Sequence, residues 1–165
     1  MKTNGSIYVA AVFAALIGYF IYQWWFNPNR VIKARLGEIA AELSAPADET
    51  AAARAARLLR LRNLAVNHVH VKIGDKGGAF TSRDELLSAI AALTSPSGGW
   101  NVDFGDTDIA VAGNDSARAF VTADVSTRNP RTGEQTLNSR EVTFSFVKQN
   151  GEWLVVDAEV KDLRR

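Results

Sequence analysis

The spacing of hydrophobic and polar positions changes along this chain, and each change marks an element. Residues 7–26 read IYVAAVFAALIGYFIYQWWF, with no charged side chain and Gln23 as the one strongly polar residue. At 1.5 Å per residue such a helix reaches about 30 Å, the thickness of a bilayer hydrocarbon core. The pattern predicts a short tail at 1–6 and a transmembrane helix at 7–26. Tyr22, Trp24 and Trp25, with Tyr19 nearby, cluster toward its C-terminal end. Amphipathic rings prefer the headgroup level, so these residues are the expected interface anchors. A cleavable signal peptide would end in small residues before its cleavage site, and WWFNP provides none. A buried core helix is the other alternative, but the remaining chain already accounts for a complete domain.

From residue 27 the period becomes helical. Ile32, Leu36, Ile39, Ala40 and Leu43 share one face of a helix over Asn29–Leu43. Ser44-Ala45-Pro46 interrupts it, and a second helix, rich in Ala, Leu and Arg, is expected over Glu49–Val66. The period then drops to two. Val69, Val71 and Ile73 alternate with His68, His70 and Lys72, as in a strand with one buried face. Gly74–Gly78 forms a turn, and Ser82 with Glu85 fits a capping box for a third helix over Arg83–Leu93. That helix is expected to turn Leu86, Leu87, Ile90 and Leu93 inward, and Ser95–Gly99 ends it. Strands follow near Trp100–Phe104, Thr107–Ala112, Ala117–Thr127, Ser139–Lys148 and Glu152–Val160. The first two of these also read as one bent strand with a bulge at Gly105-Asp106. Tight turns between consecutive strands predict an antiparallel meander. The fold class is therefore α+β: a transmembrane helix at 7–26, then one domain over 27–165.

Composition narrows the function. Among 165 residues, 19 basic and 18 acidic side chains give a formal charge of +1, which argues against a nucleic-acid partner. There is no cysteine, which excludes disulfides, thiolate metal sites, cysteine nucleophiles and a lipoprotein anchor. No phosphate loop, nucleophile elbow, metalloprotease helix or dinucleotide fingerprint is present. No catalytic residue, metal ligand or cofactor is assigned. His68 and His70 share a strand face two residues apart, a spacing that can converge on one ligand. The alternation nevertheless places them opposite the apolar positions, as solvent-facing histidines. Arg118 and Asp124 share a face of one long strand, and Arg140 on the next is expected to pair with Asp124 across the strands. Arg54, Arg57, Arg60 and Arg62 make the second helix basic, and a solvated helix surface is the expected reading.

The order of two helices, a strand, a helix and a run of long strands resembles the nuclear transport factor two-like superfamily, with its cone-shaped cystatin-like fold. The first strand with SRDELLSAIAAL, and the closing QNGEWLVVDAEV, carry that resemblance, which spans residues 29–162. It implies three helices packed on a curved antiparallel sheet, with a cavity at the wide end. Superfamily members include isomerases and cyclases, which need a carboxylate base in a dry cavity and donors for an oxyanion. Asp103, close to Asp106 and Asp108, is the carboxylate that could line such a cavity, although a solvated bulge suits DFGDTD better. The tyrosine donors are missing, because Tyr8, Tyr19 and Tyr22 all lie in the apolar segment.

The expected function is a membrane-tethered, non-catalytic interaction or accessory module within a larger assembly. It would have the bilayer and other membrane proteins as partners. The alternative is a domain that binds a small apolar molecule or lipid in its cavity; an isomerase or cyclase activity comes last. Lys2 and the α-amine precede the span, and Arg30, Lys33 and Arg35 follow it, a charge balance that leans toward a cytoplasmic domain. The short tail is the form of a signal anchor, and on that ground the domain is expected outside the cytoplasm.

Overall fold

The computed structural model describes residues 4–25, 27–74, 77–93 and 98–162, with the side chains of the first helix described over 11–22. That helix, α1, covers Asn4–Trp25. Every side chain described in it is exposed. Among the described residues, no helix is long and apolar enough to cross a membrane.

Helix α2 follows over Pro28–Leu43. Asn27 caps it by accepting a hydrogen bond from the Asn29 amide, and Pro28 takes the first turn, where a missing N–H loses nothing. Its apolar stripe buries Ile32, Leu36, Ile39 and Ala40. Helix α3 is shorter than its pattern suggested, covering Ala51–Arg62. Thr50 caps it through the Ala53 amide. The chain is already extended from Ala65, where strand β1 (Ala65–Ile73) begins. A two-residue strand, β2 (Ala79–Phe80), precedes helix α4 (Arg83–Ala92). Ser82 accepts from the Glu85 amide, and the Glu85 carboxylate accepts from the Thr81 amide. The reciprocal bond thus reaches one residue further back than in the standard capping box.

Four long strands complete the domain: β3 (Trp100–Ala112), β4 (Ser116–Arg128), β5 (Gln135–Gln149) and β6 (Glu152–Asp162). The bent-strand reading of β3 holds. The strand is continuous, its register with β4 shifts between Gly105 and Asp108, and Asp106 takes a left-handed φ of 40°. Strands β3 to β6 pair antiparallel in sequence, as expected.

The fully antiparallel sheet is corrected at one seam. The sheet order is β2-β1-β6-β5-β4-β3, and β1 pairs parallel with β6. The last strand folds back to lie beside the first, and that neighbour cannot be inferred from adjacent turns. Strand β2 was also missed, because two residues carry no readable period. The core lies between α2, α3 and the concave sheet face, around Ile32, Leu36, Val69, Phe146 and Trp153. Ile73, expected inward, is exposed near the free end of β1. Beside the core, Ala45 bridges to Trp100, whose indole N–H donates to the Leu43 carbonyl at 2.6 Å.

Candidate functional site: an apolar cavity

The period-two alternation of the strands sends one set of side chains into the concave face. Strand β1 contributes Val69 and Val71, and β3 contributes Val102 and Phe104. Val142 and Phe144 come from β5, and Val155, Ala158 and Val160 from β6. Helix α4 covers them with Leu86, Leu87 and Ile90, its half-buried inward stripe. Because α4 spans only ten residues and carries no fully buried side chain, it roofs the sheet without filling it. The result is a cavity of about 560 Å³ between the helices and the sheet. That is the size of a small-molecule site. Leu93, expected inward, lines the cavity yet remains exposed beyond the end of α4.

The lining is apolar apart from a few groups. The Trp100 indole already has its acceptor. Thr127 adds a hydroxyl. Arg140 also faces this side, and its Nη1 lies 2.8 Å from Asp162 Oδ1. Arg83, at the first position of α4, donates from Nη1 to the carbonyls of Arg62 and Ala65 at 3.3 and 3.1 Å. Its Nε is buried and meets no acceptor.

The sequence candidates divide between the two faces. His68 and His70 are exposed, opposite buried Val69. Asp103 is exposed and does not line the cavity, because its neighbours Val102 and Phe104 take the inward positions. It stands opposite Asp124 in the ladder, and Asp124 accepts a hydrogen bond from the Ser139 hydroxyl. Arg118 is exposed opposite Ser145. The expected Arg140–Asp124 pair does not form. Register places Ser139 opposite Asp124 and Arg140 opposite Ala123, so Arg140 turns to the concave face and meets Asp162 instead. Tyr22 is exposed on α1, and the side chains of Trp24 and Trp25 lie outside those described.

Two features were missed. Arg83 was not singled out, only named as the start of the third helix. Its spacing of three and four from Leu86 and Leu87 was the available signal, since such residues share a helix face. Arg57, expected on a solvated surface, is buried at 5% exposure. Its Nε and Nη2 grip Glu49 at 2.6 and 3.1 Å, and Nη1 donates to the Glu42 carbonyl at 2.7 Å. The hydrogen bond from Arg57 holds the Glu49 carboxyl below its ordinary range; burial opposes this, and Arg54 assists it. Among the described residues, no cluster of histidine and carboxylate side chains could hold a metal ion.

No family model matches the chain, and no curated protein does. Solved structures do. An NTF2-like protein with a cystatin-like fold from Novosphingobium aromaticivorans superposes with a TM-score of 0.71 at 14% identity, covering 90% of each chain. A ketosteroid isomerase-like protein from Erwinia carotovora atroseptica gives 0.58 at 15%, over 82% of this chain and 96% of that one. The association domain of the C. elegans kinase CaMKII gives 0.56 at 12%, over 81% and 92%. At these identities the likeness shows the architecture alone, and the architecture is the NTF2-like, cystatin-like α+β cone.

Proposed function

We propose that this chain is a membrane-tethered, non-catalytic domain that binds a small apolar molecule or lipid in its cone cavity. The observation that carries this reading is the cavity itself: about 560 Å³, walled by aliphatic and aromatic side chains. Burying an apolar ligand there removes hydrophobic surface from water on both partners. Binding is preferred to catalysis because of what the lining holds. Among the described residues it contains no carboxylate, imidazole or phenol that could move a proton.

What supports the tether is the sequence, which carries no charge from Ile7 to Trp25. Phe13 and Phe20 are 64% and 70% exposed, a surface that a bilayer would cover. In this reading the domain lies on the extracytoplasmic side. The tether also motivates a second role, as an accessory subunit beside another membrane protein.

One experiment separates the two. The full chain is extracted in mild detergent, and native mass spectrometry reads what stays bound. The expected result is a stoichiometric apolar small molecule that is lost in Ala158→Phe, whose ring would fill the cavity. An empty protein in stoichiometric complex with a membrane partner would refute the cavity reading and establish the accessory one.

A further inference from the structure

The charge of the cavity is one-sided. Among the described residues its lining holds two guanidinium groups and no acid. Arg140 is matched by Asp162. Arg83 forms no ion pair among the described residues, although its Nε is buried. Its Nη1 is committed to two backbone carbonyls, which fixes the plane of the guanidinium. The edge formed by Nε and Nη2 is then left without an acceptor among the described residues. Arg83 as a whole is half-buried, so the cost lies in the orphaned Nε–H, and an anion at that edge would remove it.

We propose that the Nε/Nη2 edge of Arg83 is the head-group site for an apolar monocarboxylate, whose hydrocarbon part occupies the cavity. This rests on the cavity reading and names the ligand class. A carboxylate offers two coplanar oxygens that match two parallel N–H donors. It carries one negative charge for the one unmatched positive charge. A phosphate monoester would bring nearly two charges into an apolar enclosure that holds one unpaired cation.

The test uses the full chain in nonionic-detergent micelles and three probes with the same chain length: laurate, 1-dodecanol and dodecyl phosphate. Laurate labelled with carbon-13 at the carboxyl is titrated by NMR, and the other two compete with it. The expected result is that laurate binds at least about tenfold more tightly than dodecanol, the yield of a charge-assisted pair. Its bound carboxyl titrates at lower pH than that of laurate in protein-free micelles. Arg83→Gln loses about tenfold in laurate affinity and none for dodecanol. Equal affinity of the wild-type chain for laurate and dodecanol would overturn the anion site and leave the cavity reading standing. Binding of none of the probes would overturn both. A tighter grip on dodecyl phosphate than on laurate overturns the carboxylate assignment. A folded Arg83→Gln variant that keeps full laurate affinity overturns the role of Arg83. Should that variant fail to fold, the wild-type comparison and the carboxyl titration still decide.

Discussion

At the scale of single residues, the Glu49–Arg57 clasp is the most heavily buried charge in the described chain, with side chains 3% and 6% exposed. Glu49→Gln takes the carboxylate from Arg57 but leaves its bond to the Glu42 carbonyl, and is expected to cost roughly 1.5–3 kcal/mol at neutral pH, read from urea unfolding. The same carboxyl sets an acid dependence. Its folded-state affinity for protons is depressed relative to the ordinary value of 4.5, so the unfolded chain takes up the proton first. The stabilisation is present in full above that value and is lost as pH falls through the lower, folded-state value. Stability of the wild-type chain should fall more steeply below pH 4.5 than that of Glu49→Gln; parallel pH profiles would contradict this. None of it was legible beforehand. A run of arginines on a helix looks solvated until tertiary packing selects one, and Glu49 stood as the start of the expected second helix. The same limit applied to Arg140. A one-residue difference in register moved it from the outer face to the cavity, and register is set by the turn at 129–134, which no periodicity encodes.

At the scale of elements, what could be read was what carried a long period or a turn with its own chemistry. Helix α2, the bent β3 and the meander of β3 to β6 belong to this class. The β5–β6 turn is closed by Asn150 and Gly151, at φ 52° and 85°. This is the left-handed pair that a two-residue hairpin needs. A Cβ at Gly151 would meet nothing within 4 Å, so Gly151→Ala should cost only the backbone penalty, about 1–2 kcal/mol. Gly99 is different. It has φ 69°, and a Cβ there would sit 2.5 Å from the Ala45 carbonyl oxygen and 2.6 Å from the Ala47 amide. Gly99→Ala should destabilise more than Gly151→Ala, and equal losses in thermal unfolding would show that the 45–100 bridge yields easily. Elements escaped notice where context alone made them. Strand β2 exists because β1 offers it an edge, and α3 ends early because the chain at Ala65 is taken up by β6.

At the scale of the whole molecule, α1 ends at Trp25 and the first helix of the cone begins at Pro28. If α1 spans a bilayer, full-length protein will stay in the membrane fraction through high-salt and carbonate washes. Release into the wash would remove the tether from the proposal. A C-terminal alkaline phosphatase fusion is expected to be active if the domain lies outside the cytoplasm, and inactive if it lies within. The parallel seam between β1 and β6 bears on how the protein is made. Ala65 finds its partner in Val155 and Ile73 in Val160, so the seam joins segments separated by most of the domain. Contacts of such long sequence separation form slowly, and here they must wait until the last strand has left the ribosome. Until then the long edge of β1, with Val69 beneath it, stands open to any other unpaired strand. Nascent and prematurely terminated chains therefore share one exposed edge. An edge left unpaired until β6 arrives is a template for pairing with another chain.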